Sequence, residues 1–269
     1  MSEIDLHVVR MGGGHPPLVL VHGFTGSSLD WFEAMPALAH RREVIALDHR
    51  GHGSSPNTGD FSTYNVQQLA NDFAALVERL DIEDFHLLGH SMGGVVVQLF
   101  VLADPQRVRS LVLMDTMATP SLRFSMEQVD RVTARAREHG MQALIPRMIE
   151  VSRETAPVPI RDVVLANMAT KLGQMDPEAY GGLAHSLTEF EPLIDRVGSI
   201  GCPTTVLVGE LDQPFRDPSV AMASAIPGSR LVVIEGAGHC PQEDKLDVWV
   251  DEIEHHLAWA EESIGSTRR

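Results

Sequence analysis

Short runs of apolar and β-branched residues recur along the chain at 18–21, 44–47, 85–88, 111–114, 205–208 and 231–234. Each is followed by Gly, Asp, Glu or a polar turn, the pattern of strands buried on both faces. Residues 4–9 alternate apolar and polar positions instead, which predicts an edge strand. Between the runs, apolar residues return at helical spacing. Leu69, Phe73, Leu76, Val77 and Leu80 predict a helix over 66–80, and Leu246, Val250, Ile253 and Leu257 predict one over 246–259. Strands alternating with helices imply an α/β fold, a mostly parallel twisted sheet flanked by helices on both faces. The rhythm stops over 116–195, where helical pieces around 126–139, 143–155, 160–172 and 177–189 include no convincing strand. That stretch is expected to be an all-helical cap inserted between two core strands, with 1–115 and 196–269 forming the core. Its place after the 111–114 run would set it over the strand ends where open α/β sheets bind ligands.

The bulk numbers narrow the field. The 269 residues, 43% hydrophobic and 22% charged, are enough for one sizeable globular domain with an insertion. A formal charge of −16 repels phosphate backbones and anionic lipid, so neither nucleic acid nor membrane is an expected partner. Among the basic residues only Lys171 and Lys245 are lysines. Cys202 and Cys240 stand in no metal-ligand spacing and are expected as two buried free thiols rather than a disulfide. The first residues begin acidic and have no long apolar run, unlike a secretory signal or an anchor, and the expected location is the cytoplasm.

The strongest local signal is Gly89-His90-Ser91-Met92-Gly93-Gly94, a G-x-S-x-G pattern between the 85–88 strand and an apolar helix over 95–103. A serine on a sharp strand-to-helix turn takes a strained backbone, and the flanking glycines let neighbouring chain pass closely. Its hydroxyl is a weak nucleophile and needs a base. Of the 13 histidines, His239 stands out in Gly236-Ala237-Gly238-His239, after the 231–234 strand and before the last helix. The base needs a carboxylate to fix its tautomer, and Asp212, after the 205–208 strand, completes the chain order Ser, Asp, His. Asp115, Asp217 and Glu210 are rival acids, Asp115 foremost because it ends the 111–114 strand. An oxyanion hole would take the N–H of Met92, directly after the serine, and that of Phe24 in the loop after an early strand.

Taken together, His22-Gly23-Phe24, Asp48-His49-Arg50-Gly51-His52-Gly53-Ser54-Ser55, Gly89-His90-Ser91-Met92-Gly93-Gly94, Gly209-Glu210-Leu211-Asp212 and Gly238-His239 resemble the α/β-hydrolase superfamily, in the right order over most of the chain. The resemblance implies the α/β-hydrolase fold, catalytic Ser91, Asp212 and His239, an oxyanion hole from Phe24 and Met92, and no cofactor or metal. His22 and His90 are the expected substrate contacts, while His49 and His52 belong to what is usually a structural turn. Relatives of this fold that dehalogenate or open epoxides attack with Asp; Ser91 implies an acyl-enzyme instead.

Several activities share this framework. The expected one is a carboxylesterase of small to medium acyl esters, a helical cap favouring these over triglycerides. The alternatives are a carbon–carbon bond hydrolase or an enol-lactonase of aromatic catabolism. From another class comes a small-molecule receptor with single-turnover hydrolysis. The 22–27 segment also resembles the menaquinone-pathway synthase that eliminates pyruvate, but that enzyme carries a basic residue after its elbow where this chain has Val95, Val96 and Val97. An anionic substrate is therefore less expected, although Arg123, Arg147 and Arg161 offer possible contacts. The partner is thus a small-molecule ester or lactone, and the assembly a monomer or homodimer.

Overall fold

The computed structural model describes residues 4–120 and 125–267; Arg123 lies outside the described residues. Seven strands form one sheet in the order β1-β3-β2-β4-β5-β6-β7. They are β1 (Val8–Met11), β2 (Leu18–Val21), β3 (Val44–Leu47), β4 (Phe85–His90), β5 (Val108–Met114), β6 (Thr204–Gly209) and β7 (Arg230–Ile234). β1 runs antiparallel to β3 and every other neighbouring pair is parallel. The helices are α1 (Ala34–Leu38), α2 (Val66–Arg79), α3 (Met92–Ala103), α4 (Met126–His139), α5 (Ile145–Thr155), α6 (Asp162–Gln174), α7 (Pro177–Glu189), α8 (Gln213–Ala225), α9 (Pro241–Asp244) and α10 (Leu246–Thr267).

The strands from β2 to β4 are buried along their whole length, which is why they read as continuous apolar runs. Period-two alternation divides their side chains between two cores. Val19, Val21, Ile45, Leu47, Leu87 and Leu111 face α2 and α3. Leu18, Leu20, Val44, Ala46, Leu88 and Val112 face α1 and Trp249, Ile253 and Leu257 of α10. Each large side chain so buried contributes about 1.5–3 kcal/mol.

The edge strand differs from the expectation. It runs over Val8–Met11, shifted toward the C-terminus of the alternating 4–9 stretch. The partner decides this: β3 ends at Leu47, which pairs with Val8, and beyond that pair only the Asp48 N–H continues the ladder, donating to the His7 carbonyl (2.9 Å). Leu6 is buried all the same, at 2% exposure.

The chain leaves β2 toward β3 on one side, and β4 returns on β2's other side. That reversal opens a crevice at the carboxyl ends of β2 and β4, where ligands bind in open α/β sheets. His22-Gly23 follows β2 there and Ser91 follows β4. Between β5 and β6 lie α4 to α7, with no strand among the described residues. Their apolar faces, including Val129, Leu172 and Leu183, continue the core cluster of α2 and α3. The Asp176 carboxylate clamps α7 onto the core by accepting hydrogen bonds from Tyr64 Oη (2.5 Å) and the Gly59 N–H (2.9 Å). No helix among the described residues is long and apolar enough to cross a membrane. Cys202 and Cys240 are free thiols, each only partly buried.

Candidate active site

Ser91 sits between the last residue of β4 and the first of α3, at φ 53° and ψ −118°. A non-glycine residue at positive φ stores about 1–3 kcal/mol of strain, retained only where its surroundings over-determine it. Here they do. The Ser91 N–H donates to the Met114 carbonyl (2.9 Å), and the Ser91 carbonyl accepts from the Thr116 hydroxyl (2.6 Å) and the Gly94 N–H (2.9 Å). Gly93 is required by close approach, because a Cβ there would press into the carbonyl oxygens of Val21 and His22. The turn therefore packs directly on the end of β2.

His239 joins two partners. Its Nδ1 lies 2.7 Å from Asp212 Oδ2 and its Nε2 lies 3.1 Å from Ser91 Oγ. An ionised carboxylate only accepts, so Nδ1 carries the ring proton and the Nε2 lone pair faces the serine O–H. The His239 ring stacks on Phe215 at 4.6 Å, and its backbone carbonyl accepts from His90 Nε2–H at 2.8 Å. The loops carrying Asp212 and His239 are latched together by Leu211 N–H to the Ala237 carbonyl (2.8 Å) and Gly236 N–H to Glu210 Oε2 (2.8 Å). An imidazole held in this way can take a hydroxyl proton as the oxygen attacks a carbonyl and can return it to a leaving group.

The rival acids are placed differently. Glu210 is the latch just described, and Asp217 is exposed on α8. Asp115 is fully buried at the end of β5, with Oδ1 accepting the Gly209 N–H (2.9 Å) and Oδ2 without a partner. Burial pushes its carboxyl well above the ordinary range, and the neighbouring charge of Asp212 adds to this. Asp115, Asp212 and His239 each offer an atom within 4.8 Å of the others, the one such set of acid, histidine or cysteine groups among the described residues. Two of the three are already joined by the Nδ1–Oδ2 hydrogen bond.

Of the two expected oxyanion donors, Met92 holds the first position of α3, whose N–H has no intrahelical acceptor. Phe24 follows Gly23, and that loop runs so close to the serine that a Cβ on Gly23 would lie 3.0 Å from the Ser91 Cβ. The two expected substrate histidines separate. His90 lines the cavity, but its Nε2–H is spent on the His239 carbonyl and burial pushes it down to about 3, so it is neutral. His22 is fully buried and does not reach the cavity. Its Nδ1–H donates to the Gly23 carbonyl (2.8 Å) and its Nε2 accepts the His49 N–H (3.0 Å), which makes it a brace for the loop rather than a substrate contact. His49 and His52 pack around that ring at 4.5 and 5.1 Å. Arg161 pairs with Glu33 and Arg147 with Glu150, so neither arginine is left open to a carboxylate.

Ser91, His239 and Phe24 open on a cavity of about 720 Å³ whose far side is supplied by α5, α6 and the connection between them, through Ser152, Pro157, Val164 and Met168. Three further lining residues, Asp30, Lys171 and Glu243, were not singled out by the sequence. The one available signal was Lys171 itself, a lysine in a chain whose basic residues are otherwise almost all arginine.

A doubly covered, mostly parallel sheet with a strained serine turn at its switch point defines an α/β protein of the hydrolase kind, and sequence comparison agrees. The profile described as alpha/beta hydrolase fold matches residues 16–157, over half of the chain, and the chain belongs to that family. It is 30% identical over 255 residues to the 2-hydroxy-6-oxononadienedioate/2-hydroxy-6-oxononatrienedioate hydrolase of Cupriavidus pinatubonensis, covering 90% of this chain and 86% of that one. It is 47% identical over 102 residues to the dihydrolipoyllysine-residue acetyltransferase component of the acetoin cleaving system of Pseudomonas putida, covering 38% of this chain and only 27% of that protein. A solved thermophilic esterase from Thermogutta terrifontis superposes with a TM-score of 0.82 at 30% identity, covering 96% of this chain and 94% of the other.

Proposed function

We propose that this chain is a carboxylesterase that cleaves small to medium acyl esters through an acyl-enzyme on Ser91. The observation that carries this is the continuous hydrogen-bonded series Asp212–His239–Ser91 opening on the cavity. His239 takes the Ser91 proton as Oγ attacks the ester carbonyl, and the N–H groups of Met92 and Phe24 receive the developing oxyanion. The imidazolium, stabilised by Asp212, then protonates the leaving alcohol. A water activated by the same ring releases the acid and restores the serine. Residues 116–195 act as the cap, setting which acyl and alcohol groups enter. The likeness to the Thermogutta terrifontis esterase supports the ester reading.

A second reading, carbon–carbon bond hydrolysis, is favoured by the likeness to the Cupriavidus pinatubonensis hydrolase over most of both chains. Steady-state hydrolysis of p-nitrophenyl esters from acetate to decanoate separates the two. The expected result is multiple turnovers, greatest for short chains and abolished by Ser91→Ala. A single stoichiometric burst, or turnover that survives Ser91→Ala, would remove the esterase reading.

A further inference from the structure

The cavity has a polar wall that the hydrolytic machinery does not use. Asp30 stands in the one-turn helix Ser28–Trp31, Lys171 reaches in from α6, and Glu243 sits in α9, just after His239. The Lys171 and Asp30 side chains are 10% and 7% exposed and form an ion pair. An ammonium has three donors, and that pair engages one Asp30 oxygen. The Glu243 carboxyl, also lining the cavity, accepts no hydrogen bond from any described residue. Arg161, which also lines the cavity, is spent on Glu33 and on the Glu243 backbone carbonyl.

Glu243 is partly buried, and a carboxylate partly withdrawn from water without a partner gains from a ligand that supplies one. The Lys171 ammonium requires an acceptor for its remaining protons, and the Glu243 carboxylate requires a donor. A hydroxyl satisfies both at once, and an ammonium satisfies Glu243. A carboxylate would instead face Asp30 and Glu243 across one cation that is already paired. We infer that the cavity selects esters whose end remote from the carbonyl bears an O–H or N–H donor, held between Glu243 and Lys171, and disfavours those ending in a carboxylate. Burial pushes the Glu243 carboxyl up to about 7, with Lys171 opposing, so the group is the pure acceptor this reading requires only above neutral pH. The turnover consequence rests on the hydrolase reading of Ser91; the binding consequence does not.

The test compares the ethyl esters of hexanoic, hydroxyhexanoic and aminohexanoic acids with adipic acid monoethyl ester, in the unaltered chain and in Glu243→Gln. The hydroxy and amino esters are expected to exceed the hexanoate in kcat/KM by about tenfold, the yield of a hydrogen bond to a charged group, with the adipate monoester below all three. In Glu243→Gln the amino-to-hexanoate ratio falls toward unity. Equal constants for hexanoate and its donor-bearing analogues, or a preference for the adipate monoester, would overturn the inference. Calorimetric binding of hexylamine, hexanol and hexanoate to Ser91→Ala reads the same wall without chemistry. A chain that hydrolyses none of the esters but binds hexylamine and hexanol over hexanoate keeps this inference and loses the esterase reading. Tightest binding of hexanoate sinks the inference whatever the turnover.

Discussion

Asp115 is a carboxyl with nowhere to hold a charge. It is 0% exposed, it receives one N–H from Gly209, and its second oxygen is unpartnered beside Asp212. Two buried carboxylates this close do not both ionise, and His239 Nδ1–H holds the charge on Asp212. Asp115 is therefore the protonated member. Asp115→Asn, which keeps the acceptor for Gly209 and stays neutral, is expected to hold turnover within about tenfold, whereas Asp212→Asn loses on the order of 10⁴. The reverse ranking in steady-state assays would move the acid to Asp115. Stability gives an independent check. Burial raises this carboxyl, so above the ordinary value of about 3.9 the folded chain binds more protons than the unfolded one, and stability falls as pH rises. Asp115→Asn removes that slope, so urea unfolding at rising pH should favour the variant progressively. At this scale the sequence marked Ser91, Asp212 and His239 by their glycine-bounded positions after strands, and the structure brings all three into contact. Chain order left Asp212 and Asp115 open because both follow strands; which of them meets the imidazole is a matter of loop geometry. His22 misled for a similar reason, since proximity to the oxyanion loop in sequence does not disclose which way a ring turns.

The elements that were legible are those whose environment is uniform. Strands buried on both faces spell themselves as apolar runs, and amphipathic α2 and α10 show one stripe each. What escaped depends on partners or on weak patterning. β1 is fixed by where β3 begins and ends, and α8 carries Pro214 at its start and Pro218 inside, which blunts any helical signal. The turn from β4 to α3 is the element on which the proposed function depends most, because its strain is stored against the end of β2. Gly93→Ala places a methyl into the Val21 and His22 carbonyls, and is expected to cost about 1–3 kcal/mol in urea unfolding while also lowering turnover. An unchanged stability would mean that the turn yields, and that its positive φ is not enforced by β2.

Across the whole molecule, the helices between β5 and β6 are tied to the core beside the cavity by one buried ion pair, Lys171 with Asp30, 141 residues apart in sequence. That separation is why no local pattern announced it. Burial pulls the Lys171 ammonium down, but the charges of Asp30 and Glu243 outweigh it and hold the group protonated above the ordinary lysine value. Removing one partner leaves the other charge buried and uncompensated, whereas replacing both with apolar groups removes the desolvation cost as well. Lys171→Met alone and Asp30→Leu alone are therefore each expected to destabilise by about 3–5 kcal/mol, and the double variant to recover most of that loss in denaturant unfolding. Single losses below about 1 kcal/mol would instead describe a pair screened by water, as at an open surface. Since the same pair forms one side of the cavity, recovered stability in the double variant should come with loss of the preference for donor-bearing esters, separating what the pair does for the fold from what it does for the ligand.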